Sequence, residues 1–260
     1  MEVVIRQDAT AVATFVADII ERLVSSRPGA VLGLATGSSP LGVYTELVRR
    51  HRAGTLAFGR ATVFLLDEYI GLPPGHPASY RTFFEQKFSG LVDIEPGNVH
   101  VPDGAAADVD AACADYEAQI RAAGGVDLQL LGIGADGHVG FNEPTSSLAS
   151  RTRVKTLTDE TRNDNARFFS SVDDVPRHVV TQGIGTILEA RHLVLIGLGA
   201  AKADPIARAV EGPVTSMCPA SVLQLHPHAT VIIDEAAATR LTLIDYYRAT
   251  FAAKPPWQST

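Results

Sequence analysis

Short apolar runs alternate with longer helical patterns along most of this chain, and this alternation limits the fold more than any other feature. Runs such as AVLGLA, LQLLGI and HLVLIGLG are apolar at nearly every position. Strands of this kind are buried on both faces, because a strand with one face in water alternates apolar and polar residues. Helical patterns, such as the one from Ala9 to Leu23, separate the runs. We therefore predict a Rossmann-like α/β fold, with an open, mainly parallel sheet and helices on both of its faces.

The simplest organisation is one domain that covers residues 1–260, a length that suits a single large α/β unit. The sequence contains no internal repeat, low-complexity tract or long linker. Its least regular region lies around 159–182 and is rich in Asp, Asn, Arg and Ser. Two interpretations of that region stay open, a mobile lid and an exposed helix. The tail AAKPPWQST is expected to be frayed.

The composition argues against several classes of partner. A formal net charge of -7 disfavours nucleic acid, because phosphate backbones attract basic surfaces. No apolar run approaches the length that crosses a membrane, so we expect no membrane partner. Cys113 and Cys218 form neither a disulfide framework nor a zinc set, and the N-terminus does not resemble a signal peptide. These features predict a cytoplasmic protein.

Three of the apolar runs lead directly into loops with reactive side chains. TGSSP follows AVLGLA, DEY follows ATVFLL, and GADGHVGFNEP follows LQLLGI. In open parallel sheets, ligands bind beyond the carboxyl ends of the strands. We therefore expect these loops to meet in one crevice.

The TGSSP loop has the composition of an anion-binding turn. Backbone N–H groups at Gly37, the hydroxyls of Ser38 and Ser39, and the start of the following helix all favour a negative ligand. The alternative is that one of the two serines only caps that helix. Lys202, in the second strand-to-helix turn GLGAAK, either points at the same anion or is an ordinary surface lysine.

DEY places Asp67 where an apolar strand leaves the core. A partly desolvated carboxylate at this position gains basicity and becomes a useful general base. The alternative is a structural cap or ion pair. We favour the general base because the preceding run, ATVFLL, is entirely apolar apart from its threonine.

The stretch ADGHVGFNEP contains Asp136, His138 and Glu143 within eight residues. An imidazole exchanges protons near neutral pH, and a neighbouring carboxylate can orient it and stabilise its charged form. The alternatives are that these groups cap their own loop, or that they bind zinc. Because HExxH and the signature of the zinc deaminases are both missing, we expect no metal.

Four cationic side chains lie further along the chain. RTRVKT gathers Arg151, Arg153 and Lys155, and it is either a solvated edge strand or a second anion site. Arg167 is isolated, but it could reach a phosphate in the crevice if the region around 159–182 folds over it.

Taken together, LATGSSPLGVY, LLDEYIGLP, HPASYRTFF, GIGADGHVGFNEPTSSLASRTRVKTL and VTSMCPASVLQLHPHATVIID resemble the glucosamine-6-phosphate deaminase family over nearly the whole chain. The resemblance implies a Rossmann-like sheet without a nucleotide and no cofactor. It also implies that glucosamine 6-phosphate and water are converted to fructose 6-phosphate and ammonium by general acid–base catalysis.

The resemblance also assigns roles by position. It implies that Asp67 is the base at C2 and that His138 opens the sugar ring with Asp136 and Glu143. Phosphate contacts are implied for Gly37, Ser38, Ser39, Arg167 and Lys202. Some members bind an activator, N-acetylglucosamine 6-phosphate, between the subunits of a homo-oligomer, and the matching positions here are Ser146, Arg151, Arg153 and Lys155.

Two other functions compete with this reading. A 6-phosphogluconolactonase would share a related fold and a similar phosphosugar, but it needs no enolising carboxylate, so DEY together with GFNEP separates the two enzymes. A sugar-phosphate-sensing regulator normally joins its sensor to a DNA-binding module. We rank the regulator last, because the chain begins almost at the first strand.

Overall fold

The computed structural model of the chain describes residues 1–255 and residue 258. In that part of the chain the strands, in order, are β1 (Glu2–Arg6), β2 (Val31–Leu34), β3 (Thr62–Leu65), β4 (Asp67–Tyr69), β5 (Val99–His100), β6 (Leu128–Gly132), β7 (Arg153–Thr156), β8 (His178–Thr181), β9 (Leu193–Gly197) and β10 (Ala229–Asp234). The α-helices are α1 (Ala9–Ser26), α2 (Leu41–Arg52), α3 (Tyr80–Lys87), α4 (Val109–Ala122), α5 (Asp159–Asn165), α6 (Ile184–Leu188), α7 (Ala203–Val210), α8 (Glu235–Ala238) and α9 (Ile244–Ala252).

The main sheet has the order β1-β10-β9-β6-β2-β3-β5, and every neighbouring pair in it is parallel. After β1, which lies at one edge of the sheet, the chain builds outwards from β2 through β3 to β5 at the other edge, and then returns to the other side of β2 with β6. The strand order therefore reverses between β2 and β6, and such a reversal opens a crevice at the carboxyl ends of the two strands. The prediction of an open, mainly parallel sheet is confirmed.

Helices cover both faces of this sheet, as the apolar runs predict. On one face, Ile20 of α1, Leu47 of α2 and Phe84 of α3 belong to one buried apolar cluster with Leu32 of β2. On the other face, Tyr116, Ile187 and Ile206 come from α4, α6 and α7, and they share a second cluster with Leu131 of β6. The two clusters hold the sheet as a rigid frame, on which the loops at its carboxyl ends are positioned.

The sequence of ATVFLLDEY, from Ala61 to Tyr69, is typical of one strand that ends in acids, but the structure divides this segment into two strands. β3 stops at Leu65, whose register partner Leu34 is the last residue of β2, so the main sheet offers no further neighbour. The chain turns at Leu66, and β4 pairs antiparallel with β8, with Asp67 opposite Thr181. β8 in turn pairs antiparallel with β7, which gives a small second sheet in the order β4-β8-β7.

The region around 159–182 divides into two parts. Its first part is α5 followed by short 3-10 turns, which is compatible with both sequence interpretations. Its last part is not a lid, because β8 is the central strand of the small sheet and Val179, Val180 and Thr181 are fully buried. RTRVKT supplies β7, an edge strand of that sheet with alternating exposure.

The tail for which fraying was predicted lies partly outside the described residues. Within them, α9 continues to Ala252 and the ammonium group of Lys254 donates a hydrogen bond of 2.9 Å to Glu2. Among the helices that the structure describes, none has both the length and the apolar character of a membrane span.

Candidate active site

A cleft of about 280 Å³ opens beyond the carboxyl ends of β2, β3 and β6. The three loops that the sequence singles out meet there, as expected. From the predicted site residues, the cleft is lined by Gly37, Ser38, Ser39, Asp67, His138, Arg167 and Lys202. Side chains from distant parts of the sequence thus converge at the point where the strand order reverses.

The loop between β2 and α2 presents its polar groups to the cleft. Gly37 has a φ of +91°, a backbone conformation that strains residues with a side chain. The N-cap of α2 is Pro40, and no side chain caps this helix. The interpretation of Ser38 or Ser39 as a simple cap is therefore wrong. Ser38 and Ser39 both line the cleft, and they directly precede the N-terminus of a 12-residue helix, the positive end of its dipole.

Two cations line the same cleft from different elements. Lys202 follows a turn in which the N–H of Gly199 donates to both carboxylate oxygens of Asp234, at 3.0 and 2.9 Å. Burial lowers the pKa of Lys202, and the positive charge of Arg167 lowers it further, against the opposing effect of Asp164. A site in which two cations feel each other's charge favours a dianionic ligand.

Asp67 is the most strongly perturbed acid of the cleft. Its side chain is 6% exposed and lines the cleft wall. Burial, and then the nearby charge of Glu68, raise the pKa of Asp67 to about 8. A Cβ atom built on Gly140 would lie 3.8 Å from its Oδ2 atom, so the carboxyl group borders the loop that contains His138. An acid with this pKa exchanges a proton at neutral pH.

Glu68, the neighbouring acid, has a structural role. Its Oε1 atom accepts hydrogen bonds of 2.9 Å from the N–H groups of Tyr69 and Tyr80, and its Oε2 atom accepts one of 3.0 Å from Arg81. Glu68 therefore binds the first turn of α3 and fixes the position of β4. Of the two acids in DEY, only Asp67 lines the cleft.

His138 lines the cleft and forms a close pair with Asp136, which is not itself a lining residue. Nδ1 of the imidazole lies 2.6 Å from Oδ1 of Asp136, an ion-pair contact in which the ring does not meet the angle of a hydrogen bond. The same oxygen accepts a hydrogen bond of 3.0 Å from the backbone N–H of His138. Burial opposes the charge of Asp136, but its contacts with His138 lower the pKa of Asp136 below the ordinary value. The carboxylate is therefore ionised and orients the imidazole.

Gly134 determines where that imidazole can lie. A Cβ atom at this position would come within 2.2 Å of Cε1 and 2.3 Å of Nδ1 of His138. The ring therefore packs directly on the backbone of Gly134, and any side chain there would displace it. The glycine after β6 has a steric function that its sequence pattern alone does not reveal.

Glu143 is buried, and its carboxylate does not line the cleft. Its Oε1 atom accepts a hydrogen bond of 3.1 Å from the hydroxyl of Thr158 and a short one from the hydroxyl of Thr161. Thr158 is the N-cap of α5, and Thr161 is in its first turn. In this conformation Glu143 connects the loop that contains His138 to α5, and the turn after α5 contains Arg167.

The four residues of the expected activator site lie outside the cleft. Arg151 is paired with Glu117 and Glu189, which gives it a structural role. One guanidinium nitrogen of Arg153 donates a hydrogen bond of 2.9 Å to the side-chain oxygen of Asn142, and burial lowers the pKa of Arg153. Ser146 is buried, and its Oγ atom lacks a hydrogen-bond partner among the described residues. Lys155 is half-buried on β7.

The sequence reasoning missed part of the cleft wall. Tyr69 and Tyr80 line the cleft with their hydroxyl oxygens 3.2 Å apart, and their rings pack at 4.9 Å. Thr161, Asp164, Asn165 and Phe168 line it from α5 and the turn that follows. Tyr69 belongs to DEY, but no local pattern marks the others, because contacts between distant segments hold them at the cleft. Glu68 accepts from the backbone N–H of Tyr80, and Glu143 accepts from the hydroxyl of Thr161.

The arrangement combines a buried acid, an imidazole–carboxylate pair and two cations around one volume. It is suited to moving protons on a small substrate with an anionic group. Within residues 1–255 and 258, no cluster of three or more His, Cys, Asp and Glu side chains could hold a metal ion.

Comparison with known proteins is consistent with this chemistry. Residues 6–232 match the family described as glucosamine-6-phosphate isomerases/6-phosphogluconolactonase. The glucosamine-6-phosphate deaminase of Arthrobacter sp. (strain FB24) is 61% identical over 258 residues, which are 99% of either chain. A solved monomeric glucosamine-6-phosphate deaminase is similar with a TM-score of 0.90 and 41% identity, over 92% of this chain and 100% of the other. The 6-phosphogluconolactonase of Trypanosoma cruzi has a TM-score of 0.75 at 19% identity, over 93% and 97%, and this shows a shared fold alone.

Proposed function

Because the chain belongs to the family of glucosamine-6-phosphate isomerases and 6-phosphogluconolactonases, we propose that its cleft is the place where glucosamine 6-phosphate reacts. The activity is that of the deaminases in this family: isomerisation and deamination of glucosamine 6-phosphate to fructose 6-phosphate and ammonium, a step of amino sugar catabolism. The lactonase alternative loses support, since likeness to a lactonase at 19% identity extends only to the fold. We also propose that residues 1–260 act as one domain.

Ring opening is the first step that the proposed site must catalyse. The imidazole of His138 takes the proton of the anomeric hydroxyl and supplies one to the ring oxygen, which breaks the C1–O5 bond. Its contact with Asp136, at 2.6 Å, supports this role because the carboxylate orients the imidazole. Arg167, Lys202 and the Gly37–Ser39 loop hold the phosphate of the substrate while the ring opens.

Asp67 then acts at C2 of the open-chain sugar. Its carboxylate takes the C2 proton, the electron pair forms a double bond between C1 and C2, and the carbonyl oxygen at C1 takes up a proton, which gives an enolamine. Return of a proton to C1 leaves an imine at C2. Water adds to that carbon, ammonia leaves with its own electron pair, and the C2 ketone of fructose 6-phosphate remains. None of these steps needs a metal or a cofactor, and we expect activity to be unaffected by a chelator.

The observation that supports this proposal most directly is a carboxyl group with a pKa raised to about 8 in the same cleft as the imidazole–carboxylate pair. The decisive experiment is C2 proton exchange with solvent, followed by NMR on the Asp67→Asn variant. We expect exchange to be lost, while fructose 6-phosphate still protects the variant against thermal unfolding. Exchange at the wild-type rate would exclude Asp67 as the base.

Glu143 has a narrower proposed role. The hydrogen bonds from Thr158 and Thr161 support a function in holding α5, and through it Arg167, against the loop of His138. Support of the imidazole during ring opening, which the resemblance implies, requires this carboxylate to leave the threonines and turn towards the cleft.

Activation by N-acetylglucosamine 6-phosphate within a homo-oligomer remains a further proposal. The unpartnered hydroxyl of Ser146 and the cations Arg153 and Lys155 support it, whereas Arg151 is occupied by Glu117 and Glu189. The test is an ammonia assay with and without this sugar, on wild type and on Lys155→Met. Activation that is lost in the variant supports the effector site, and identical kinetics with and without the sugar contradict it.

A cytoplasmic location is proposed because both cysteines are free and buried.

A further inference from the structure

A second pocket, of about 350 Å³, lies at the opposite end of the main sheet from the cleft. It is found where β6, β9 and β10 begin, and Asp127, His192 and His228 immediately precede or start these strands. Arg27, just after α1, and Arg191 lie beside them, and Arg22 and Ser26 of α1 also line the pocket. We call Arg27, Asp127, Arg191, His192 and His228 the basic pocket. None of them takes part in the proposed reaction.

Among the residues that the structure describes, two arginines of the basic pocket share a single carboxylate. One guanidinium nitrogen of Arg27 and one of Arg191 donate to the same oxygen of Asp127, at 2.6 and 2.8 Å. The other oxygen of Asp127 accepts a hydrogen bond of 2.8 Å from the backbone N–H of Val31. Two positive charges therefore meet at one negative charge. Asp127 is almost fully buried beneath them, with 2% of its side chain exposed.

Both arginines keep donors for a further ligand. A guanidinium has five N–H bonds in a planar fork, the shape that suits a phosphate or carboxylate. The side chain of Arg27 is 50% exposed and that of Arg191 is 54% exposed. Besides Asp127, Arg191 donates to the backbone oxygen of Gly124 at 2.8 Å. Within the described residues, most of their N–H bonds therefore have no acceptor from the protein.

Two stacked histidines form the adjacent wall. The rings of His192 and His228 are parallel within 5°, with centroids 3.6 Å apart, and Nε2 of His192 lies 2.9 Å from the hydroxyl of Thr230. Burial lowers the pKa of His192 to about 3 and also lowers that of His228, and neighbouring positive charge adds to both effects. At neutral pH these rings are therefore uncharged, and the positive charge of the basic pocket comes from its two arginines.

We propose that the basic pocket binds a small oxyanion, a phosphate or phosphomonoester group, between the guanidinium groups of Arg27 and Arg191. Such a ligand balances the excess positive charge and accepts hydrogen bonds from both planar forks. Phosphate bound here lies at the end of the sheet remote from the substrate, so this site is separate from the cleft and does not depend on the proposed reaction.

The test is isothermal titration calorimetry with inorganic phosphate, on variants that isolate the basic pocket. Lys202→Met weakens phosphate binding in the cleft, and we expect this variant to keep one phosphate site per chain. Adding Arg191→Gln should weaken the remaining site at least tenfold, while Asp127 keeps Arg27 as its partner. The matched control is Arg248→Gln, which removes a half-exposed arginine from an ion pair with Glu235 and should leave binding unchanged.

The outcomes separate the alternatives. Methyl phosphate in parallel titrations distinguishes the source, since binding of both compounds indicates phosphomonoesters and binding of phosphate alone indicates the free ion. Arg191→Lys should restore part of the affinity, which a general loss of structure would not allow. The proposal fails if Lys202→Met binds no phosphate, or if adding Arg191→Gln leaves its affinity unchanged. Failure of the cleft assignment looks different, because wild type and Lys202→Met would then bind phosphate equally.

Discussion

Asp67 combines the reactivity of the site with a cost in stability. A carboxyl group has an ordinary pKa near 4, whereas burial raises the pKa of Asp67 to about 8 in the folded protein. Between about pH 4 and pH 8 the folded chain therefore holds a proton that the unfolded chain releases. The free energy of unfolding must fall as the pH rises through this window, at up to ~1.4 kcal/mol per pH unit. As the pH rises through the same window, a growing fraction of Asp67 is ionised and can act as the base.

This linkage predicts how Asp67→Asn behaves. The amide cannot ionise, so the variant should gain stability over wild type as the pH rises, by a few kcal/mol at about pH 8 and little at about pH 5. Urea unfolding at several pH values measures the difference. Asp115→Asn, on an exposed part of α4, removes the same charge and should show no such trend. A gain for Asp67→Asn that does not vary with pH would contradict the buried acid.

Gly134 offers a second prediction at the scale of a single residue. Gly134→Ala should push the ring of His138 away from Asp136, because the new methyl carbon would lie 2.2 Å from the ring. We expect kcat to fall on the order of a hundredfold, the usual size of a lost acid–base contribution. Inhibition by inorganic phosphate should change little. Gly97→Ala, where a Cβ meets open space, is the control, and full activity of Gly134→Ala would show that the ring tolerates displacement.

At the scale of elements, α5 depends on the loop of His138 for its position. Thr161→Val keeps the shape of the side chain but removes the hydroxyl that donates to Glu143. Loss of a hydrogen bond to a charged group costs about 1.5–3 kcal/mol. We therefore expect faster amide hydrogen exchange across 159–168 and a several-fold rise in KM, with kcat changed less because Asp67 and His138 stay in place.

Amide hydrogen exchange also distinguishes a loosened α5 from the loss of a direct contact between Thr161 and the substrate. Glu143→Gln removes the charge of the acceptor without touching the cleft wall, and it should accelerate exchange in the same segment. Thr45→Val, which removes a hydroxyl bound to the backbone of α2, should leave that segment unchanged. If neither Thr161→Val nor Glu143→Gln accelerates exchange, these hydrogen bonds do not hold α5.

The elements also mark where sequence reasoning succeeds and where it stops. The strands of the main sheet and the longer helices were predictable, because each has a local apolar period of its own. The end of β3 and the whole of β8 were not, since both depend on the antiparallel pairing of Asp67 with Thr181, residues far apart in the chain. Tyr80 and Thr161 were missed as cleft residues because Glu68 and Glu143, which are distant from them in the sequence, hold them there. Asp67, His138 and Lys202 were found because each directly follows a buried strand or its turn.

For the molecule as a whole, local and total charge have opposite signs. The chain has a formal net charge of -7, yet Arg167 and Lys202 line the cleft that we propose for a phosphorylated sugar. A dianion is therefore repelled by most of the surface and attracted only close to the site. Salt screens such interactions, since the Debye length falls from about 10 Å at 0.1 M to about 3 Å at 1 M ionic strength.

Salt screens both the attraction of the phosphate to the cations of the cleft and its repulsion by the rest of the surface. These two interactions differ in range, and this difference decides whether KM rises or falls with added salt. In the cleft the attraction acts over contact distances between the phosphate and two cations, so it outweighs the diffuse repulsion in the bound state. KM for glucosamine 6-phosphate should therefore rise several-fold between about 0.05 M and 0.5 M sodium chloride, with kcat nearly constant. Lys202→Met should start from a higher KM and show a flatter dependence, because one of the two screened charges is gone. Arg248→Gln removes an exposed cation remote in sequence from the cleft loops and should follow the wild-type curve. A KM that falls with added salt would mean that the overall negative charge, and not the cations of the cleft, governs substrate binding.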